Sequence, residues 1–271
     1  MRTMKWRKTL RAALLFVVLL PSVPGGQTNA SAGLAFSPVK GKHVAAGLFH
    51  SFAIKSDRTA VAWGNSWTSY SRVPEGLNDV VAIEGGASHS LALKADGTVV
   101  AWGENFHGQV NVPPGLNKAT AIAAGVSHSL SVKEDRTVVA WGDNGNGQAN
   151  VPPGLNDVIA VAGGLSHSLS LKGDGSVVAW GNNDFGQTDV PSGLNRVTAI
   201  ATKFYHSLAL KADGTVIAWG LNDSRQTDVP PGLNGAWRLR REGPIRWRSN
   251  RMGPSSLGEE TCLGKAACRR D

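Results

Sequence analysis

Five histidines recur at a fixed spacing and are the first residues whose chemistry needs an explanation. Each is followed by serine, and each lies 39 residues from the next: His50, His89, His128, His167 and His206. Imidazoles can bind zinc, but the ligands of one zinc site usually come in closely spaced pairs. One histidine in every 39 residues would form a metal site only if all the rings lined a common channel. We therefore predict a structural histidine that bonds a neighbouring backbone group, with no metal and no cofactor.

The acidic residues are the second group with possible chemistry, because two of them could form a catalytic pair. Five aspartates recur with the same period: Asp57, Asp96, Asp135, Asp174 and Asp213. Three of them precede glycine, and Asp-Gly pairs supply the positive φ of tight hairpins, so we interpret the aspartates as turn formers. The sequence contains no nucleophile elbow, no phosphate-binding loop and no HExxH zinc motif. We predict that the chain is not an enzyme.

The histidines and aspartates belong to a repeat that determines the fold class. Trp-Gly pairs have the same 39-residue period, at Trp63, Trp102, Trp141, Trp180 and Trp219. Within one unit, VAIEGG, HSLALK and TVVAWG are strand-like, a shorter VNVP follows, and glycines and prolines interrupt the chain every dozen residues. Short strands with regular turn signals, and no helical period, predict a four-stranded antiparallel sheet per unit. Such sheets bury both faces when they stack as blades around an axis, which predicts an all-β propeller.

Five complete blades are predicted within residues 33–235. The expected units are 44–82, 83–121, 122–160, 161–199 and 200–235. The repeated tryptophan should act as a wedge between neighbouring sheets, because it is the largest apolar side chain in each unit. Arg58 and Arg136 replace the turn glycine in two units, and we expect those hairpins to be strained.

The two ends of the chain differ from the repeats. Residues 1–32 have a basic start, a nine-residue apolar run and small residues before Gly33, the pattern of a cleaved signal peptide. This predicts a secreted or periplasmic protein with no membrane span after cleavage; the alternative is an uncleaved anchor. The net charge of +8 lies at the ends, since residues 33–234 hold 14 basic and 16 acidic groups. A nucleic-acid binder should carry positive charge on its folded body, so we predict no nucleic-acid partner.

The landmarks of the unit resemble a known family. The motif HSLALKADGTVVAWGENFHGQ, with its His-Ser, Asp-Gly, Trp-Gly and Gly-Gln pairs, is similar to the regulator of chromosome condensation repeat. The short spacing resembles that of bacterial secreted members, among them a beta-lactamase inhibitory propeller. The resemblance implies a ring of usually seven four-stranded blades and protein binding through loops on one face. The nuclear exchange-factor role of the eukaryotic founder is not implied, because this chain has an export signal.

The segment 236–271 shares nothing with the repeats and is rich in arginine. In another reading frame its permitted codons can encode a further unit, with a histidine 39 positions after His206 and a tryptophan 39 after Trp219. We interpret this tail as a frameshifted sixth repeat of a truncated seven-bladed type and expect it to be disordered. The alternative is an evolved basic tail for an anionic surface. Five blades could then form an open arc that aggregates, or a strained closed ring.

Two segments vary between units and are the candidate binding residues. One precedes each His-Ser pair and the other follows each Trp-Gly pair. A constant frame with variable, partly aromatic loops favours a recognition surface. The candidate residues are Trp67, Tyr70, Phe106, His107, Phe185, Phe204 and Tyr205. Alternatively, several of them pack between blades or reflect neutral drift.

The sequence leaves three functional interpretations open. The first is a scaffold that binds an unknown protein partner, with no obligate oligomer. The second is a glycan- or cell-wall-binding propeller in which Trp67 and Tyr70 stack on sugars. The third is a non-functional truncated product.

Overall fold

The computed structural model describes residues 44–64 and 71–233, which form fifteen strands. Runs rich in Val, Ile, Leu and Ala form these strands, and Gly, Pro, Asn and Asp separate them. In the first two repeats the strands are β1 (Val44–Ala46), β2 (His50–Ile54), β3 (Ala60–Gly64), β4 (Val80–Gly85), β5 (His89–Lys94) and β6 (Val99–Gly103). In the remaining three they are β7 (Ala119–Ala124), β8 (His128–Lys133), β9 (Val138–Gly142), β10 (Val158–Gly163), β11 (His167–Lys172), β12 (Val177–Gly181), β13 (Val197–Lys203), β14 (His206–Lys211) and β15 (Val216–Gly220).

Each repeat forms one antiparallel sheet of three consecutive strands, which we number as blades 1 to 5. The middle strand begins at the repeated histidine, and the third strand ends at the Trp-Gly pair. In blade 3, Ser129 pairs with Trp141 and His128 with Gly142, and the other blades repeat this register. The all-β repeat fold predicted from the 39-residue period is confirmed.

The prediction of four strands per blade is wrong, because the expected fourth segment forms turns. After Gly108 the chain turns tightly, with Asn111 N–H donating to Gly108 O and Val112 N–H donating to Val110 O. Two prolines follow and supply no N–H for a ladder. This segment packs inside the blade interface instead, through Val112 and Leu116.

The hairpin between the second and third strands is built on the repeated aspartate. In blade 2, Asp96 accepts a hydrogen bond from the Thr98 N–H (2.9 Å), and Gly97 has a φ of 82°. Only the glycine has positive φ, so the aspartate acts as a side-chain cap. Arg58 and Arg136 occupy the glycine position with a φ of 61°. Non-glycine residues there cost about 1–2 kcal/mol, which confirms the predicted strain.

The hydrophobic core consists of clusters between neighbouring blades. Between blades 3 and 4, Leu130 and Val132 of one sheet pack against Val158, Val161 and Trp180 of the next. The three other interfaces are built in the same way around Trp102, Trp141 and Trp219. Each of these four tryptophans therefore packs between its own blade and the preceding one.

In the part of the chain that the structure describes, the outer faces of blades 1 and 5 are more exposed than the faces between blades. Trp63 is 55% exposed, whereas its four counterparts are 7–8% exposed. Leu208 and His206 of blade 5 are half-buried, although Leu91, Leu130 and Leu169 and their neighbouring histidines are fully buried. Of the two alternatives left by the sequence, these faces favour the open arc.

Several predictions lie outside the described residues. They are the signal peptide and its boundary at residue 32, the boundary at 235 and the frameshifted tail, and the binding candidates Trp67 and Tyr70. Across 44–64 and 71–233, no helix is long and apolar enough to cross a membrane.

Candidate functional site

The blades bring both variable segments to the same end of the molecule. Strand alternation places the turn before each histidine next to the loop after each Trp-Gly pair. Backbone bonds join them: Glu104 N–H donates to Ser88 O (2.8 Å), and Asp143 N–H donates to Ser127 O (2.9 Å). We call this end the loop face, comprising residues 47–49, 86–88, 104–111, 125–127, 143–150, 164–166, 182–189, 203–205 and 221–228. The opposite end, the hairpin face, comprises 55–59, 94–98, 133–137, 172–176 and 211–215.

The turns of the loop face are connected from blade to blade. Leu48 N–H donates to Gly86 O (3.1 Å), and Leu165 N–H donates to Phe204 O (2.8 Å). Ala87 and Val126 make the equivalent bonds between the blades in the middle of the arc. The surface is therefore one hydrogen-bonded row rather than five independent loops.

A buried polar cluster beneath this row holds neighbouring blades in register. His89 Nε2 lies 3.1 Å from Ser129 Oγ of the next blade, and Ser129 Oγ donates to Gln109 O (2.9 Å). The same carbonyl accepts the Trp141 Nε1–H bond (2.9 Å). The cluster repeats around His128 and His167, with Gln148 and Gln187 supplying the carbonyls. We predicted a backbone partner for the histidine rings; in the structure Nε2 of His89 contacts a serine hydroxyl, and backbone groups of Val126 and His128 also interact with this ring.

The hydrogen bonds indicate the tautomer of these rings, and burial determines their charge. Because Ser129 uses its only proton on Gln109 O, His89 must donate from Nε2, so a neutral ring carries no proton on Nδ1. Nδ1 of His89 is buried without a hydrogen-bond partner, as it is in His128 and His167. Burial lowers the pKa of His89 to about 4 and that of His128 to about 3, and neighbouring rings add to the effect. The rings are thus neutral structural groups between blades, and they are poorly suited to proton transfer near pH 7.

Glycine is required beside each of these rings. A Cβ on Gly86 would lie 2.3 Å from Cε1 of His89 and 2.6 Å from Gly125 O. Gly125 and Gly164 have the same relation to His128 and His167. The pre-histidine glycine therefore forms the slot that admits the ring.

The glutamine of each Gly-Gln pair connects this frame to the variable loop. While its carbonyl closes the buried cluster, its side chain reaches back into the loop: Gln187 Oε1 accepts the Phe185 N–H bond (2.9 Å). Gln109 and Gln148 hold the amides of His107 and Asn146 in the same way. Sequence reasoning used this glutamine only as a family landmark, although its constant spacing was a signal for a structural role.

The described binding candidates lie together on the loop face. Phe106 is 85% exposed, the highest value among the exposed large apolar side chains of the described residues, and His107 beside it is also exposed. Phe185 of blade 4 packs edge-on against Tyr205 of blade 5, with ring centroids 4.9 Å apart, and Phe204 is 41% exposed. Leu48 and Phe49 are exposed on the same face but were not among the candidates.

The hairpin face is charged and nearly invariant. Each hairpin pairs a lysine with its aspartate, as in Lys55–Asp57 (3.4 Å) and Lys133–Asp135 (2.9 Å). The Thr59 hydroxyl and amide lower the pKa of Asp57 by bonding its carboxylate. These aspartates are exposed turn caps, as the sequence predicted. In the part of the chain that the structure describes, no three His, Cys, Asp or Glu side chains group as a metal site.

Sequence comparison assigns the repeats. The Regulator of chromosome condensation (RCC1) repeat matches residues 80–109, 119–148, 158–187 and 197–226, and each match runs from the first strand of a blade to the glutamine after its third strand. The chain belongs to the regulator of chromosome condensation repeat family. The residues of the buried clusters around His89, His128 and His167 thus lie within the matched repeats. A search of curated proteins gave no match.

Solved propellers share the fold of this regulator of chromosome condensation repeat protein. Prp20p from Saccharomyces cerevisiae, reported with its binding properties to Gsp1p and histones, is 22% identical over 69% of this chain and 59% of its own (TM-score 0.58). The Physcomitrella patens receptor kinase CR4 ectodomain is 21% identical over 70% and 56% (TM-score 0.61). Human WBSCR16 is 20% identical over 65% and 61% (TM-score 0.55). The chain spans less than two thirds of each of these proteins.

Proposed function

We propose that this protein is a scaffold that binds another protein through its loop face. The main observation in support of this proposal is the contrast between the two ends of the blades. Exposed aromatic side chains occupy variable positions on the loop face, whereas the hairpin face repeats the same charged pairs. Aromatic anchors on a rigid support are the usual source of binding energy in protein interfaces.

The rigidity of the support favours binding by a preformed surface. Phe185 is held through its amide by Gln187, and its ring packs against Tyr205. Ordering a loop at the moment of binding costs free energy, which a preformed loop avoids. Regulator of chromosome condensation propellers such as Prp20p bind proteins, which supports a protein partner for the present chain.

We further propose that the protein acts outside the cytoplasm. The proposal rests on the basic start and the apolar run of residues 1–32. The partner would then be an extracellular or periplasmic protein.

The proposal is tested by capture from the producer's culture medium or periplasmic extract. The loop-face variant combines Phe106→Ala, Phe185→Ala and Phe204→Ala, and its control combines Lys55→Ala, Lys94→Ala and Lys133→Ala on the hairpin face. We expect the wild type and the control to retain the same partner, and the loop-face variant to bind it at least about tenfold more weakly. A partner lost by the hairpin-face control but retained by the loop-face variant would overturn the proposal.

A further inference from the structure

The first strand of blade 5 ends differently from those of the other blades. The slot position that is Gly47, Gly86, Gly125 and Gly164 in the first four repeats is Lys203 in the fifth. Because a Cβ at this position would collide with the histidine ring, a lysine removes the slot. His206 is half-buried on the outer face of blade 5, whereas the rings in the other four blades are buried against the blade that follows them.

The substitution reshapes the turn that follows. Strand β13 continues to Lys203, which pairs with His206, so Phe204 and Tyr205 form a tight turn between them. Phe204 has a φ of 47°, a conformation that is unfavourable for a bulky side chain. The turn also leaves the Phe204 ring exposed. A strained backbone and an exposed apolar side chain are both unfavourable for stability, and such features are typical of functional positions.

The altered turn faces a depression at the centre of the loop face. Residues from all five blades line it, including Leu48, Ala87, Val126, Gly164, Lys203 and Phe204. Its walls are backbone and small or apolar side chains, and Lys203 is the charged residue among them. The lining of this depression thus holds one cation, Lys203, and the charged or polar groups that influence it, Glu84 and His50, belong to blades 2 and 1.

The Lys203 amine is suited to an anionic ligand. The residue is exposed on the loop face, its partly desolvated amine has a lowered pKa, and the Glu84 carboxylate of blade 2 partly offsets this effect. Within 44–64 and 71–233, no carboxylate oxygen lies within 4.0 Å of Lys203 Nζ. The amine lies 6.0 Å from the centre of the Phe204 ring. An ammonium group has three donors and no acceptor, so its complement is an anion.

We propose that Lys203 binds a carboxylate of the partner protein at the centre of the loop face. Phe204 and the Phe185–Tyr205 pair would contact the apolar groups that flank this carboxylate. The carboxylate comes from an Asp or Glu side chain or from a C-terminus, which present the same chemistry to the amine. This inference rests on the proposed function, because it names the anchor of the same surface.

Peptide selection tests the inference without knowledge of the partner. One random library displays internal peptides with no free C-terminus, and a second displays free C-termini. We expect the wild type to enrich apolar peptides that carry an acidic residue in the first library or a terminal carboxylate in the second. The library that is enriched identifies the source of the carboxylate.

Three variants then assign the contact to Lys203. Lys203→Gly restores the residue of the other repeats, and it should bind the selected peptides at least about tenfold more weakly. Lys203→Arg, which keeps the charge, and Lys172→Ala on the hairpin face should bind within a few-fold of the wild type. Circular dichroism and melting of each variant control for folding.

The remaining outcomes separate the two proposals. Peptides that lack a carboxylate, or that bind Lys203→Gly as well as the wild type, would overturn the inference and leave loop-face binding standing. No enrichment, or selected peptides insensitive to the Phe106, Phe185 and Phe204 alanine variant, would count against both.

Discussion

Replacing Trp141 by alanine should lower the free energy of unfolding by about 3–5 kcal/mol, the usual cost of truncating a buried aromatic side chain. Trp141 packs against the preceding blade and donates its Nε1–H to Gln109 O. Its removal leaves a cavity between blades and deprives a carbonyl of one of its two donors. Urea unfolding followed by far-ultraviolet circular dichroism measures the loss.

Trp63 is the matched control, because it has the same position in blade 1 but faces solvent. It is 55% exposed, against 7% for Trp141. Trp63→Ala should therefore cost less than about 1 kcal/mol, as surface substitutions do. Equal losses from the two variants would contradict the assignment of the inter-blade wedge.

Mild acid should destabilise the protein through its buried histidines. The pKa values of His50, His89 and His167 are lowered from 6.5 to about 4, and that of His128 to about 3, with burial as the main cause. Between about pH 6.5 and 4 the unfolded chain binds protons that the folded rings exclude, so stability falls as pH falls. One ring with a folded pKa near 4 accounts for about 3 kcal/mol over this range. We expect urea midpoints to drop steeply between pH 7.5 and 5.

The hairpin aspartates affect stability in a lower pH range than the histidines. The loss of stability between pH 7.5 and 5 can therefore be assigned to the histidines by experiment. The pKa of Asp96 is lowered, chiefly by the Thr98 amide, so its contribution is present above about pH 3.8 and is lost below it. His128→Asn should reduce the acid sensitivity between pH 7.5 and 5, and His107→Asn, at an exposed loop position, should leave it unchanged. A midpoint that is constant over this range would show that the rings accept protons without disturbing the fold.

The repeat made the fold predictable, because each strand and tryptophan recurs in an equivalent environment. A periodic Trp-Gly pair indicated an interface between sheets, and the tryptophans in blades 2 to 5 lie there. The fourth strand was predicted wrongly, since the short apolar segment around Val110 satisfies its amides in tight turns before two prolines. Local pattern alone does not distinguish such turns from an edge strand.

The buried polar cluster could not be predicted from the sequence. His89, Ser129 and Gln109 are 20 or more residues apart, and their contact depends on how one blade docks on the next. The loop face was predictable from variability after the Trp-Gly pairs. Lys203 was missed because its meaning depends on the glycine slot, which only the packing of the histidine ring reveals.

Amide hydrogen exchange of the protein with and without its captured partner tests most directly whether the loop face is the binding surface. We expect slower exchange at residues 48–49, 104–107, 183–185 and 203–205 in the complex, and unchanged exchange at the hairpins around Asp96, Asp135 and Asp174. Protection confined to those hairpins, with the loop face unchanged, would contradict the proposed function.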